Sequence, residues 1–180
     1  MSAFALQRKP DGHFRLEADI MQHLPAKLAL SDALVPEQND LDFICGTAIP
    51  DFELHTEKAR AVLPASYVRS DVVHNIGAVS FLMAAFMYNK PEYIKFGLDD
   101  HVHVPYRLGL IPGSEEVIRS SVKAGAYGAT ISGSGPTIIA FSPSDKAHLV
   151  GESMVSTFKH HGITSSYIVL DFDQSGISAV

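Results

Sequence analysis

Hydrophobic and polar positions change period several times along the chain, and each change marks an element. Residues 4–9 and 13–19 are two short alternating runs around Pro10-Asp11-Gly12, the signature of a β-hairpin. Residues 22–40 carry weak periodicity and several breakers, which predicts an irregular or briefly helical segment. The apolar run 41–49 predicts a buried strand closed by Pro50, and residues 56–63 a short helix stopped by Pro64.

A long helix follows, capped by Ser70 or Asp71 and running to about Tyr88. Val72, Val73, Ile76, Val79, Leu82, Met83 and Phe86 cover more than one of its faces, so it is expected to be central and mostly buried. Pro91 opens another helix, with Ile94, Phe96 and Leu98 inside it. Residues 101–116 read as a loop punctuated by proline and glycine. Ser114 then caps a helix that has Glu115 and Glu116 in its first turn and ends at Gly125. Strands are expected at 128–132 and 137–142, a helix from Ser144 to about His161, and a last strand at 165–173. Helices interspersed with hairpin-like strands give an α+β class, with an antiparallel sheet covered by helices on one face.

Composition narrows the class of partner. The chain has 180 residues and a formal net charge of -6, which argues against a nucleic-acid surface. One cysteine, Cys45, lies in an apolar run; no intrachain disulfide can form, and a buried thiol in a reducing compartment is expected. The first residues lack the apolar core of a signal peptide, and the most apolar run, residues 80–88, is short for a bilayer span. A cytoplasmic protein with no membrane partner is therefore expected.

The candidate chemistry begins at Ile131-Ser132-Gly133-Ser134-Gly135-Pro136-Thr137. It lacks the Gly-Lys-Ser/Thr of a phosphate loop and is followed by a strand rather than a helix. Two readings stand side by side: a glycine-rich hairpin turn, or an anion nest in which Gly133 and Gly135 take positive φ. A nest without a cation is weak. Thr56 and Arg60, at i and i+4, offer a hydroxyl and a guanidinium suited to a carboxylate, against an ion pair of Arg60 with Glu57 or Glu53. Arg107, on a segment stiffened by Pro105 and Pro112, is a second such cation or a surface ion pair. His101 and His103 flank Val102, but with no second histidine–carboxylate cluster in view no metal site is expected.

Three segments, 48–64, 99–113 and 128–141, occur in the order and spacing of the homoserine kinases, and the chain resembles that family of the GHMP small-molecule kinase superfamily. "GSGPT" resembles the superfamily's third signature motif, and "HTEKARAVLP" with "HVPYR" narrows the resemblance to homoserine kinase. It implies a ferredoxin-like C-terminal domain and ATP-dependent phosphorylation of the L-homoserine hydroxyl for threonine synthesis. It places Arg60, with Thr56 beside it, and Arg107 on the substrate carboxylate, and Gly133, Ser134, Gly135 and Pro136 in the loop facing substrate and phosphate. Asn75 and His103 are expected only to pack.

The family's ATP phosphate loop and acidic residue have no counterpart here. The chain is expected to be a C-terminal half: residues 1–40 a remnant of the N-terminal kinase domain, and residues 41–180 the C-terminal domain. No catalytic residue is expected in it, ATP and Mg being implied for the complete enzyme through the missing half. The half alone is expected to bind homoserine weakly, to show no turnover, and to form a homo-oligomer through uncovered apolar surface. The alternative is a stand-alone amino-acid-binding regulatory or dimerisation module without catalysis.

Overall fold

The structure, a computed structural model, describes the backbone of residues 5–8 and 14–17 and the whole of residues 41–172. The expected turn at 10–12 and the irregular segment 22–40 lie outside the described residues. Strands β1 (Ala5–Arg8) and β2 (Phe14–Glu17) pair antiparallel as the N-terminal hairpin.

The remaining strands are β3 (Ile44–Pro50), β4 (Gly128–Ile131), β5 (Ile138–Ser142) and β6 (Ser165–Leu170). They form one antiparallel sheet in the order β4-β5-β3-β6. With helical segments between β3 and β4 and between β5 and β6, this is the ferredoxin-like βαββαβ arrangement expected of the α+β class.

Central strand β5 is buried at every position, and its alternation feeds two cores. Ile138 and Ala140 join Ala48, Ile131, Val117, Val150, Met154 and Phe158 on the face covered by α5 (Ser114–Lys123) and α6 (Ala147–His160). Ile139 and Phe141 point the other way, to Phe43, Cys45, Ala85 and Ile94. The second face is therefore also clothed, by the end of α2 (Arg69–Met87) and by α3 (Ile94–Gly97). Phe43, Phe86, Phe141 and Phe172 meet there mostly edge-to-face, with Phe43 and Phe86 centroids 5.3 Å apart. Each fully buried phenyl contributes roughly 1.5–3 kcal/mol. At Gly97 an added Cβ would stand 2.8 Å from the Leu82 backbone, so α3 crosses α2 at a distance only glycine permits.

Local expectations shift in four places. Helix α2 begins at Arg69 after an extended Val68, without a side-chain cap from Ser70 or Asp71. It is not mostly buried: only Ala78, Leu82 and Ala85 are enclosed, while Val73 is 61% and Ile76 65% exposed. The segment read as a loop at 101–116 contains α4 (Val104–Arg107) and a 3₁₀ turn at Leu108–Leu110. Helix α5 is entered through Gly113 at φ 76, and Ser114 is already inside it, its hydroxyl donating to the Leu108 carbonyl at 2.9 Å.

The expectation of no spanning segment rests on residues 80–88 alone, whereas the fold joins them to residues 69–79. Within the resulting 19-residue helix an 18-residue stretch has a mean hydropathy of 1.3 and meets the length and composition of a bilayer span, as core helices of soluble proteins also do. Here its C-terminal turns lie in the second core, and His74 and Asn75 bond to residues 99–101.

Candidate functional site

Helix α1 (Thr56–Ala61) follows β3 and carries Thr56 and Arg60 one turn apart, both exposed. Helix α4 ends on Arg107, and the glycine loop joins β4 to β5. Arg107 as a residue is 5% exposed, and its guanidinium meets residues 48 and 26 positions away. Nε donates to the Ala59 carbonyl at 3.2 Å and Nη1 to the Gly133 carbonyl at 3.0 Å. Arg107 is therefore neither a surface ion pair nor a freely presented cation. It is a buried joint between α1 and the loop, with Nη2 left over.

Burial pushes the Arg107 pKa below the usual arginine value, partly opposed by the charge of Asp100, and the nearby Arg60 charge adds to the depression. The charges of Arg60 and Arg107 thus act on one another. Among the described residues neither is ion-paired, and the expected alternative of Arg60 with Glu57 or Glu53 is not formed. Two arginines without an ion-pair partner among the described residues are an arrangement that an anion would complete.

The loop has the predicted backbone: Gly133 at φ 61 and Gly135 at φ 86, with a cis Gly135–Pro136 bond. It closes on itself through Ser132 N–H to the Thr137 carbonyl at 2.8 Å and Gly135 N–H to the Ser132 carbonyl at 3.0 Å. The loop is thus a tight turn with the positive φ that the nest reading requires, and two of its N–H groups are committed within it. The Gly133 carbonyl faces Arg107, while Ser134 and Pro136 are half-buried.

These residues do not fit a nucleotide or its magnesium. The turn presents too few unengaged N–H groups to wrap a triphosphate, and no lysine stands in it. Asp100, the carboxylate whose charge acts on Arg107, is already engaged by four hydrogen bonds.

Asp100 is the residue that sequence reading passed over. Its Oδ1 accepts from the backbone N–H groups of Val102, His103 and Val104, and its Oδ2 from Asn75 Nδ2 at 3.0 Å. Burial would raise its pKa, but these bonds and the His103 imidazole outweigh burial and hold it below the usual carboxylate value. Asp100 thereby caps the approach to α4, the helix that ends on Arg107. Asn75, expected only to pack, also accepts from His101 N–H at 2.9 Å and ties α2 to this segment. The only available signal was the acidic pair before the proline-bearing helix.

His103 lies beside Asp100, and burial pushes its pKa down to about 4 despite that carboxylate. His101 faces the other way, toward His74, Asp99 and Asp71. The pair read together in the sequence is thus split by the fold. An open apolar depression of about 450 Å³ lies along α2, lined by Tyr67, Val72, Asn75, Ile76, Val79 and Val102, with little polar surface for a charged ligand.

Residues 92–160 match the family model of the GHMP kinases C terminal. The chain is 43% identical to a homoserine kinase of Picosynechococcus sp. over 129 residues, covering 72% of this chain and 42% of that protein. A homoserine kinase of Carboxydothermus hydrogenoformans is 44% identical over 129 residues, again 72% of this chain and 42% of the relative. The crystal structure of homoserine kinase from Cytophaga hutchinsonii superposes with a TM-score of 0.72 at 28% identity, covering 96% of this chain and 50% of that one. The chain therefore spans about half the length, or less, of the proteins it matches.

Proposed function

We propose that this chain, which carries a GHMP kinase C-terminal domain, is the substrate-holding part of a homoserine kinase. In this reading Arg60 grips the L-homoserine carboxylate with Thr56 beside it, and Arg107 contributes Nη2 while holding the loop. Gly133, Ser134, Gly135 and Pro136 face the substrate hydroxyl. The observation that carries it is the pair of nearby arginines, without a carboxylate partner among the described residues, joined to the glycine loop through the Gly133 carbonyl.

Phosphoryl transfer demands positioning and charge stabilisation more than covalent chemistry. This chain's share is positioning: bidentate capture of the carboxylate fixes one end of a small substrate, so that its hydroxyl falls at the loop. ATP and Mg would supply the phosphoryl group and its charge neutralisation, and they belong to protein outside residues 41–180. Residues 1–40 are read as the end of that other domain. The product, O-phospho-L-homoserine, serves threonine synthesis. A reducing, cytoplasmic setting suits the buried Cys45, whose thiol is pushed up to about 12 by burial.

The test is thermal-shift and calorimetric titration of the chain with L-homoserine, with and without ATP, together with a coupled assay of ADP release. Weak homoserine binding, lost in Arg60→Ala with the melting temperature unchanged, is the expected result, and no ADP release accompanies it. Homoserine without effect on the chain, or undiminished binding in Arg60→Ala, sinks the reading. Binding of a different amino acid in preference to homoserine, unaffected by ATP, would favour a sensor module, which the same arginine pair would equally serve.

A further inference from the structure

The fold assembles a second cluster of donors away from the arginines. Asp71 and His74 sit three residues apart on the first turns of α2, and Asp99 and His101 two apart just before α4. Separated by 25 residues, His74 and Asp99 meet: Nε2 lies 3.0 Å from the Asp99 carbonyl oxygen and 3.1 Å from its Oδ2. His101 Nε2 lies 3.9 Å from Asp99 Oδ1. One ligand atom from each of His74, Asp99 and His101 falls within 4.8 Å of the others.

From these contacts we propose that His74, Asp99 and His101 form a binding site for a first-row divalent transition metal such as Zn²⁺, with Asp71 orienting His101. Bonds of about 2.0–2.1 Å to a tetrahedral ion put ligand atoms roughly 3.3 Å apart, so the separations around Asp99 need little contraction. Two imidazoles and one carboxylate select such ions over magnesium or calcium, which prefer oxygen. Asp71 Oδ1 is 3.4 Å from His101 Nδ1 and favours a proton there, leaving Nε2 to bind metal. Three protein ligands leave the fourth position for water.

The two rings are stacked, with centroids 3.8 Å apart and planes 15° from parallel. A metal binds in the plane of an imidazole, so capture requires one ring to turn edge-on. The side chains, 38% and 41% exposed, have room to do so. Metal binding requires an unprotonated nitrogen on each imidazole and is therefore favoured as pH rises. Its structural effect is to clamp the start of α2 to the residues that precede Asp100 and Arg107.

The experiment titrates the chain with Zn²⁺ by calorimetry and with Co²⁺ by visible absorption, Mg²⁺ serving as the comparison. One equivalent of Zn²⁺ should bind and raise the melting temperature, Co²⁺ should show tetrahedral ligand-field bands, and Mg²⁺ should do neither. His74→Ala, His101→Ala and Asp99→Asn should each weaken Zn²⁺ binding by about 10-fold or more, and Asp71→Asn by less. His160→Ala, a change in an exposed histidine on α6, should leave it intact. Circular dichroism confirms that each variant is folded. Absence of a stoichiometric site, or binding that survives both histidine substitutions in folded protein, overturns the proposal.

Discussion

Arg107 donates from Nη1 to the carbonyl oxygen of Gly133 at 3.0 Å, and this bond couples the end of α4 to the turn between β4 and β5. Its Nε meanwhile holds the Ala59 carbonyl, next to Arg60, at 3.2 Å. One buried side chain thus sets the relative position of the three segments that make the candidate site.

Arg107→Ala should therefore destabilise the domain, by about 2–4 kcal/mol for two charged hydrogen bonds and a buried side chain. Arg107→Lys should recover little, because an ammonium group cannot reach two carbonyls with the planar fork. Urea denaturation followed by circular dichroism measures both. Full rescue by lysine would show that charge, not geometry, matters there.

Gly135 is the backbone counterpart. Alanine there must hold φ 86, and its Cβ would stand 2.7 Å from Ile111 Cδ1. A loss of about 1–3 kcal/mol is expected, with the damage centred on residues 131–137 in NMR shifts. Gly77, mid-helix in α2 with open space around it, should respond oppositely, Gly77→Ala raising stability by about 0.5–1 kcal/mol. Equal effects at the two glycines would contradict this account.

His103 makes stability depend on mildly acid pH. Its folded value, pushed down to about 4 by burial, lies below the unfolded value, so the unfolded chain takes up a proton first. Stability should be intact above pH 6.5 and fall as pH drops from there toward 4, by up to about 3 kcal/mol. Asp100, with its lowered value, adds its own loss only at more acid pH. Denaturant midpoints measured between pH 7 and 4 should slope for the parent and flatten for His103→Gln; identical slopes would remove His103 as the cause.

The outward face of α2 should drive association. Val72, Val73, Ile76 and Val79 are all more than 40% exposed on one helix, a contiguous apolar strip of the kind that is normally covered. Light scattering should give a mass above the monomer that rises with concentration, and the double change Val73→Lys with Ile76→Glu should restore the monomer. A constant monomeric mass for the parent chain would refute it.

Much of this molecule is legible without coordinates. Strands β3 to β6 follow from short apolar runs, and the breaks at Pro64, Pro91 and Gly125 from residues that cannot continue a helix. The positive φ of Gly133 and Gly135 follows from their lack of a Cβ. The arginines were recognisable as candidate anion ligands by type, and Arg60 by its i, i+4 relation to Thr56. Each of these depends on residues close in the chain, where spacing is itself a physical constraint.

The tertiary structure decided the rest, because it depends on which distant backbone comes near. The apolar content of α2 read as burial, but burial requires enclosing neighbours, and among the described residues only Ala78, Leu82 and Ala85 have them. Arg107 has the same side chain whether it meets solvent or two carbonyls; the packing of α1 and the glycine loop around it makes it a joint. Asp100 became a hub because the following chain turns its N–H groups back onto one carboxylate. His101 and His103, adjacent but one in sequence, were sent to opposite partners by that same turn. Local sequence determined the elements and the kinds of chemistry available, and only the packing of segments 25 to 48 residues apart determined which groups could act together.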